Sequence, residues 1–82
     1  MIELTLYTRR DCELCREMET ILETELPRFE ARLQRIEIDD DVALEANYGQ
    51  EVPVLFVNHR KAFKFRCTAR ALRKRLLREV RR

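Results

Sequence analysis

The chain has 82 residues and a formal net charge of +2, so it has room for one small domain and no second hydrophobic core. Its composition, with 45% hydrophobic residues, 39% charged residues, one Gly and two Pro, is globular and excludes collagen-like and low-complexity proteins. The longest apolar run, residues 52–57, is too short to span a membrane. Because the first residues include an early acid and no long apolar stretch, we expect no signal peptide and a cytoplasmic protein.

The charge is distributed unevenly along the chain. Residues 1–50 hold six Lys or Arg against thirteen Asp or Glu, whereas residues 51–82 hold eleven against two. The basic C-terminal stretch favours a solvated helix face, whose cations suit the negative end of the helix dipole. A docking surface for an acidic protein or a nucleic acid is the alternative. No aromatic residue interleaves the basic residues from Arg66 to Arg82 to stack on a base, so we do not expect a nucleic-acid partner.

The first half of the chain predicts a strand, a helix, a strand and a short helix. Apolar and polar residues alternate over residues 2–7, as in a strand. The apolar spacing then becomes helical, and the helix should end near Leu26 because Pro27 disfavours helical geometry in the residue before it. Residues 29–33 predict an irregular turn or short helix, and residues 33–38 predict a second strand.

Three acids follow that strand and predict an N-cap for a short helix at about residues 42–48. Gly49, the only glycine, stands where the end of a helix favours a positive φ. The continuous apolar run Val54–Val57 is typical of an interior strand that is buried on both faces.

The remainder of the chain predicts a hairpin and a last helix. Residues 58–60 are typical of a turn, and residues 62–66 alternate Phe63 and Phe65 with basic residues, as in a fourth strand. Thr68 is a suitable N-cap for a last helix. The inner apolar stripe of this helix comprises Ala69, Leu72, Leu76 and Val80. The order βαβαββα predicts an α/β fold with helices on a four-stranded sheet.

Cys12 and Cys15 form a C-x-x-C motif at the predicted change from strand to helix. A spacing of three on a helix brings the two Cβ atoms to about 5–6 Å, which is close to disulfide geometry. Cys67 makes the cysteine count odd, which excludes a complete framework of structural disulfides. In a reducing compartment, a redox-active pair or a metal site is therefore favoured.

Position decides which cysteine attacks a substrate. Cys12 lies in the first helical turn, where unpaired N–H groups and the helix dipole stabilise an anion, so we expect it to be the exposed nucleophile. Two arginines before the motif add to this stabilisation and two acids beside it oppose it. Cys15 is in register with Met18 and Leu22, so we expect it to point inward and to resolve the mixed disulfide.

A zinc site is the main alternative. Four residues would complete a Cys3His ligand set: Cys12, Cys15, Cys67 and His59. His59 is predicted at the hairpin tip, five or more strand residues from Cys67, which amounts to about 17 Å at about 3.3 Å per residue. We therefore expect His59 to be a solvated turn residue and expect no bound metal.

Several short segments together resemble the glutaredoxin branch of the thioredoxin-like superfamily, in particular its small bacterial members. They are Leu6-Tyr7-Thr8-Arg9, Cys12 to Cys15, Ile38-Asp39, Tyr48-Gly49 and Glu51-Val52-Pro53. The resemblance covers nearly the whole chain and implies one thioredoxin-like domain over residues 1–82. Its glutaredoxin-type fold is a four-stranded mixed sheet flanked by helices, in strand order 2-1-3-4, with strand three antiparallel to strand one.

The resemblance also implies substrate contacts. Pro53 would be cis and face the cysteine pair, which would leave the Val52 backbone free to pair with a substrate in β fashion. A trans proline that simply begins a strand is the alternative. Arg9, three residues before Cys12, stands where glutaredoxins carry a cation that meets a glutathione carboxylate.

Two segments depart from the family pattern. Glu13-Leu14 replaces the usual Pro-Tyr between the cysteines. Arg66-Cys67-Thr68-Ala69 replaces the glycine pair and acid that hold the γ-glutamyl end of glutathione, so glutathione binding stays open. Cys67 and Thr68 are the candidate substrate-contacting residues of this segment. Cys67 is expected either to be a buried structural thiol or to act as an auxiliary thiol near Cys12.

These observations predict a small thiol-disulfide oxidoreductase that reduces protein disulfides or glutathione mixed disulfides through Cys12 and Cys15. It would hold no bound cofactor, would use glutathione as a co-substrate, and would be re-reduced by glutathione or a reductase. We expect a monomer with no membrane partner. The alternative is a non-catalytic thioredoxin-fold binding module that uses the basic C-terminal helix or the Val52-Pro53 edge.

Overall fold

The computed structural model describes residues 1–81, which follow the order βαβαββα that the sequence predicts. The strands are β1 (Ile2–Thr8), β2 (Ala31–Glu37), β3 (Val54–Val57) and β4 (Arg60–Lys64). The helices are α1 (Glu13–Glu25), α2 (Val42–Tyr48) and α3 (Ala69–Val80). Within this part of the chain, no helix is both long enough and apolar enough to cross a bilayer.

The four strands form one mixed sheet in the order β2-β1-β3-β4, which confirms the topology that the resemblance implies. β1 runs parallel to β2 and antiparallel to β3, and β3 runs antiparallel to β4. Tyr7 lies opposite Val54, and Val54 in turn lies opposite Lys64. The end of β1, the start of β3 and the end of β4 therefore meet at one end of the sheet. We call it the dithiol end, because the cysteine motif follows β1.

One face of the sheet packs against α1 and α3 in a continuous hydrophobic core. Every second residue of β1 is buried, because side chains alternate between the two faces of a strand. The buried core residues are Ile2, Leu4, Leu6, Met18, Leu22, Leu55, Val57, Leu72 and Leu76. The predicted inner positions Leu72 and Leu76 are thus confirmed, but Val80 is 59% exposed. Two steps of four residues rotate Val80 by about 80° from Leu72 around the helix axis, which takes it off the buried stripe.

The other face of the sheet carries a cluster of three aromatic rings. Tyr7 and Tyr48 stack with their centroids 4.2 Å apart, and Phe56 meets both rings edge-on. Burial and the neighbouring Tyr48 hydroxyl raise the pKa of Tyr7. Because Tyr48 belongs to α2, the rings join this helix to the sheet. Val54, Leu55 and Val57 are fully buried, which confirms β3 as an interior strand.

An ion pair joins the first and last helices at the margin of the core. Glu25 is only 2% exposed, and both of its carboxylate oxygens accept hydrogen bonds from the Arg73 guanidinium, at 2.9 and 3.1 Å. The hydrogen bonds from Arg73 hold the pKa of Glu25 below its usual value. A planar guanidinium matches a carboxylate in this two-pronged geometry, so the pair fixes the orientation of α3 on α1.

Two strands start earlier than the sequence predicts. A short 3-10 helix (Leu26–Arg28) follows α1, so the irregular stretch is briefer than expected and β2 begins at Ala31 rather than at residue 33. Asn58 and His59 both have a positive φ, of 48° and 69°, as a two-residue hairpin turn requires. The turn therefore ends sooner, and β4 begins at Arg60 rather than at Ala62.

Two further predictions are wrong. The fourth strand does not extend to Arg66 but ends at Lys64, because the φ of 68° at Phe65 takes the chain out of the strand, and the Phe65 side chain is 41% exposed. Gly49 has a φ of −54° rather than a positive value. A Cβ atom on Gly49 would lie 2.5 Å from the carbonyl oxygen of Glu45, so the glycine is required by space and not by backbone conformation.

Candidate active site

Cys12 and Cys15 form a disulfide at the start of α1, with their Cα atoms 5.2 Å apart. Cys12 is the N-cap residue, with extended backbone geometry, rather than part of the first turn as predicted. Its Sγ accepts a hydrogen bond from the backbone N–H of Cys15 at 3.1 Å. Cys12 is half-buried, whereas Cys15 is only 2% exposed. The difference in exposure agrees with the predicted inward orientation of Cys15, and the roles of attacking and resolving thiol stay predictions.

A tight turn between β1 and α1 holds the motif at the dithiol end. Asp11 has a φ of 53°, a left-handed conformation that Asp adopts more readily than most residues. The N–H of Arg10 donates to Oδ1 of Asp39 at 3.0 Å. This hydrogen bond contributes most to holding the pKa of Asp39 below its usual value. The loop before Cys12 is thereby tied to the segment that follows β2.

The two arginines that precede Cys12 are both held by carboxylates. Arg9 donates through one guanidinium nitrogen to Glu45 and to the carbonyl oxygen of Gly49, each at 2.9 Å. The Arg10 guanidinium lies 3.3 Å from a carboxylate oxygen of Asp40. Their effect on a Cys12 thiolate is therefore weaker than that of free cations. Arg9 braces α2 against the loop that contains Cys12, and its contact with glutathione stays a prediction.

The segment before β3 lies at the same end of the sheet as the cysteines. The Val52–Pro53 peptide bond is cis, and Pro53 is fully buried. The N–H of Val52 donates to the carbonyl oxygen of Tyr48 at 3.0 Å. The expectation that the Val52 backbone is free to pair with a substrate is therefore wrong for its N–H. The reason is local, because the turn after α2 uses the Tyr48 carbonyl as its hydrogen-bond acceptor.

Cys67 and Thr68 follow β4 beside this segment. The N–H of Phe65 donates to the carbonyl oxygen of Pro53 at 2.9 Å, which brings the chain past the dithiol end. Cys67 is a free cysteine that packs, half-buried, against the core, and burial raises the pKa of its thiol. The Thr68 hydroxyl accepts a hydrogen bond from the N–H of Ala71 at 3.0 Å, so it caps α3 as predicted.

His59 lies away from the three cysteines. It occupies the turn between β3 and β4, and β3 runs from Val54 at the dithiol end to Val57 beside this turn. His59 is exposed there, at the opposite end of the sheet from Cys12. The topology therefore separates His59 from the ligand set that a Cys3His zinc site would need.

Sequence reasoning missed three features next to the dithiol. The aromatic cluster of Tyr7, Tyr48 and Phe56 fixes α2 near the motif. The continuous apolar run of β3 indicates such a cluster, because a strand with apolar residues on both faces must be covered on both faces. The hydroxyl of Thr8, the last residue of β1, lies buried without a hydrogen-bond partner among residues 1–81. The ion pair between Arg9 and Glu45 joins residues far apart in the sequence, and no local pattern indicates it.

Comparisons with known proteins place these observations in a family. The model of the family described as Glutaredoxin-like domain (DUF836) matches residues 3–80. The crystal structure of protein XcR50 from X. campestris has a TM-score of 0.79 at 37% identity, over 92% of this chain and 96% of that chain. No curated protein matches the chain in sequence.

Two further structures support the same assignment. The solution structure of protein Ne2328 from Nitrosomonas europaea has a TM-score of 0.73 at 27% identity, over 87% of this chain and 86% of that one. A mutant thioredoxin from Halobacterium salinarum has a TM-score of 0.63 at 25% identity, over 89% and 69% of the two chains. A thioredoxin-like fold with Cys12 and Cys15 at disulfide distance supports an oxidoreductase activity in general terms. The chain therefore belongs to the glutaredoxin-like domain family of the thioredoxin-like superfamily.

Proposed function

We propose that this chain is a thiol-disulfide oxidoreductase that reduces disulfides of proteins or mixed disulfides with glutathione. The observation that carries the proposal is the arrangement of Cys12 and Cys15, which form a disulfide between a partly exposed residue, Cys12, and a buried one, Cys15. Cys12 stands at a helix N-terminus, where backbone N–H groups stabilise a thiolate. The odd cysteine count favours a protein that acts in a reducing compartment such as the cytoplasm.

The exchange proceeds in two steps from the reduced protein. The Cys12 thiolate attacks one sulfur of the substrate disulfide, so that a Cys12–substrate bond forms and the substrate S–S bond breaks. The released substrate thiolate takes a proton from water. Cys15 then loses its proton and attacks Sγ of Cys12, which forms the Cys12–Cys15 bond and releases the second substrate thiolate, again to be protonated. Two electrons pass from the dithiol to the substrate.

Regeneration requires an external thiol and no bound cofactor. Two glutathione molecules, or a protein dithiol, reduce the Cys12–Cys15 disulfide and become a disulfide themselves. Arg9 and Thr68, two of the proposed substrate contacts, already have partners in Glu45 and Ala71. A protein disulfide that docks beside Pro53 is thus the better supported substrate, with glutathione as co-substrate.

The test is to measure exchange rates with two substrates, a disulfide-linked protein and a peptide–glutathione mixed disulfide. We expect the Cys12→Ser variant to lose exchange with both. The Cys15→Ser variant should lose exchange with the protein disulfide but keep some with the glutathione mixed disulfide, where external glutathione can replace the resolving thiol. Cys67→Ser is the matched control and should keep both activities. Exchange that persists in Cys12→Ser would refute the proposal.

A second candidate is a non-catalytic binding module. The observation in its favour is that five cations of the last strand and helix are exposed and have no ion-pair partner among residues 1–81, namely Arg60, Lys64, Arg70, Lys74 and Arg78. The Cys12→Ser variant separates the two functions, because a binding module keeps its partner when the dithiol is lost.

A further inference from the structure

Within residues 1–81, the Lys and Arg side chains that form no ion pair all follow β3 in the chain. All six arginines of residues 1–50 form ion pairs with carboxylates. Among the basic residues from Arg60 to Arg81, only Lys61, Arg73 and Arg75 form ion pairs within the part of the chain that the structure describes. The cations that could meet a partner's negative charges therefore lie on β4, on α3 and in the residues that flank α3.

Three of these cations form a row along the exposed side of α3. Arg70, Lys74 and Arg78 are four residues apart, and residues at this spacing lie on one face of a helix. All three are exposed, whereas Leu72 and Leu76 point into the core. The row has a repeat of about 6 Å along the helix axis. Alternate side chains of an extended peptide repeat at about 6.6 Å, so successive acids of such a peptide can meet successive cations.

A groove runs between this helix and the edge strand β4. It consists of two adjoining depressions, of about 310 and about 430 Å³, that share Lys61, Arg75 and Arg78. Arg75 is neutralised by Glu79 at 2.6 Å, and Lys61 is paired with Glu51 at the same distance.

The unpaired cations that line the groove are Arg60, Lys74 and Arg78. Its floor contains the side chains of Ala62, Phe63 and Ala71. The groove thus combines positive charge at its margins with an apolar floor.

The geometry of β4 shows how a partner would bind. Pairing between β3 and β4 is interrupted between Leu55 and Phe56, where Ala62 has no opposite residue. A bulge and cations on an edge strand disfavour the addition of another strand. The partner is therefore recognised by side chains in the groove and not by extension of the sheet.

A short acidic segment fits this surface better than a nucleic acid does. The positive surface ends at α3, because the exposed residues of the neighbouring helix α1 include Glu13, Glu17 and Glu23, so the surface suits a short acidic segment and not a long polyanion. Phe63, the aromatic residue that lines the groove, is half-buried, which disfavours stacking of its ring on a base.

We propose that the groove between β4 and α3 binds an acidic segment of the protein whose disulfide Cys12 attacks, an inference that rests on the proposed function. The C-terminal end of β4 and the N-terminal end of α3 both lie at the dithiol end of the sheet, on either side of Cys67. A segment that lies along Arg78 and Lys74 toward Arg70 is thus directed to the end of the sheet where Cys12 lies.

The test uses three synthetic peptides with one disulfide each and an acidic, a neutral or a basic flanking segment. In low salt, we expect kcat/KM for the acidic peptide to exceed that for the neutral peptide by about tenfold. About 0.5 M salt should reduce this ratio to less than about twofold, because it screens exposed charges. The double variant Lys74→Gln/Arg78→Gln should lose the preference and keep the rate with the neutral peptide. A preference that persists in this variant, or that is absent from the wild type, overturns the inference.

A matched control has the same change in charge elsewhere. Arg32→Gln/Arg35→Gln removes two cations from β2, at the far edge of the sheet, and should keep the acidic preference. If it loses the preference equally, only net charge matters and the groove is not the site.

The failure of the proposed function is recognised separately. If no peptide is reduced, direct binding to the Cys12→Ser/Cys15→Ser variant still measures the groove, and the acidic peptide should bind about tenfold more tightly than the neutral one. Equal binding overturns the inference. Stronger binding of a single-stranded DNA oligonucleotide than of the acidic peptide also overturns it, in favour of a nucleic-acid partner.

Discussion

The backbone N–H of Cys15 donates a hydrogen bond to Sγ of Cys12 across the first turn of α1, at 3.1 Å. The outer sulfur thus occupies the position of an N-cap side chain, which normally satisfies an unpaired N–H at the start of a helix. In the reduced protein, the same N–H can stabilise a negative charge on Cys12. A hydrogen bond to an ionised acceptor is stronger than one to a neutral acceptor, so the local backbone favours the reactive form.

The first prediction concerns the order in which the three thiols react. With the reduced protein at neutral pH and a limiting amount of iodoacetamide, we expect Cys12 to be labelled at least about ten times faster than Cys67. Cys15 is shielded by the core, and burial raises the pKa of Cys67, which keeps it protonated. Peptide mass spectrometry measures the order. Labelling of Cys67 at the rate of Cys12 would contradict the arrangement described.

The second prediction concerns Cys67 itself. Because its thiol is half-buried against the core and its pKa is raised, we expect a structural role. Mild oxidation of the reduced protein should give the Cys12–Cys15 disulfide alone, and Cys67→Ala should leave exchange rates unchanged. Disulfide mapping by mass spectrometry decides the point. A Cys12–Cys67 disulfide would show that Cys67 is an auxiliary thiol.

The third prediction is a loss of stability in acid that depends on Glu25. Arg73 lowers the pKa of this carboxyl from its ordinary value of 4.5. The stabilisation that ionised Glu25 contributes is therefore fully present above about pH 4.5 and is lost as the pH falls through the lower pKa of the folded state. Urea unfolding between neutral pH and about pH 3 measures this effect.

Two variants separate the contribution of Glu25 from that of the other carboxyls. Glu25→Gln should be less stable than the wild type at neutral pH, and its stability should decline less with acid. Glu23→Gln, on the exposed side of the same helix, should follow the wild-type curve. Equal acid dependence in Glu25→Gln and the wild type would contradict a stabilising ion pair with Arg73.

The fourth prediction compares two leucines of α3. Leu72 is fully buried in the core, so Leu72→Ala should lower the free energy of unfolding by about 2–5 kcal/mol. Leu77 is 40% exposed, so Leu77→Ala should change it by only about 0.5 kcal/mol. Chemical denaturation of both variants tests the assigned inner face of the helix. Similar losses for the two variants would mean that α3 is rotated from the orientation described.

The patterns that predict the fold correctly are local. Alternation in β1, the proline after α1 and the N-cap side chains of Asp41 and Thr68 each act within a few residues. The β4 boundary was wrong because it depends on the conformation of a turn, since two positive φ angles at Asn58 and His59 shorten the connection. The reason for glycine at position 49 could not be predicted, because a side chain there is excluded by contact with Glu45 and not by the φ angle of Gly49 itself.

The candidate site shows the same division. The motif itself and the inward orientation of Cys15 follow from spacing on a helix. The partners of Arg9 and of the Val52 N–H could not be predicted, because both depend on how the segment from α2 to β3 folds back onto the loop before Cys12. Arg9 and Val52, which the family resemblance marks as substrate contacts, thus take part in holding the segment from α2 to β3 in place.

The most direct test of the central claim is the mass of the Cys15→Ser variant after it reacts with a peptide disulfide. We expect a stable adduct of one peptide half on Cys12 and the release of the other half as a free thiol. The wild type should instead release both halves and end with the Cys12–Cys15 disulfide. No adduct, or an adduct on Cys67, would contradict the claim that Cys12 attacks and Cys15 resolves.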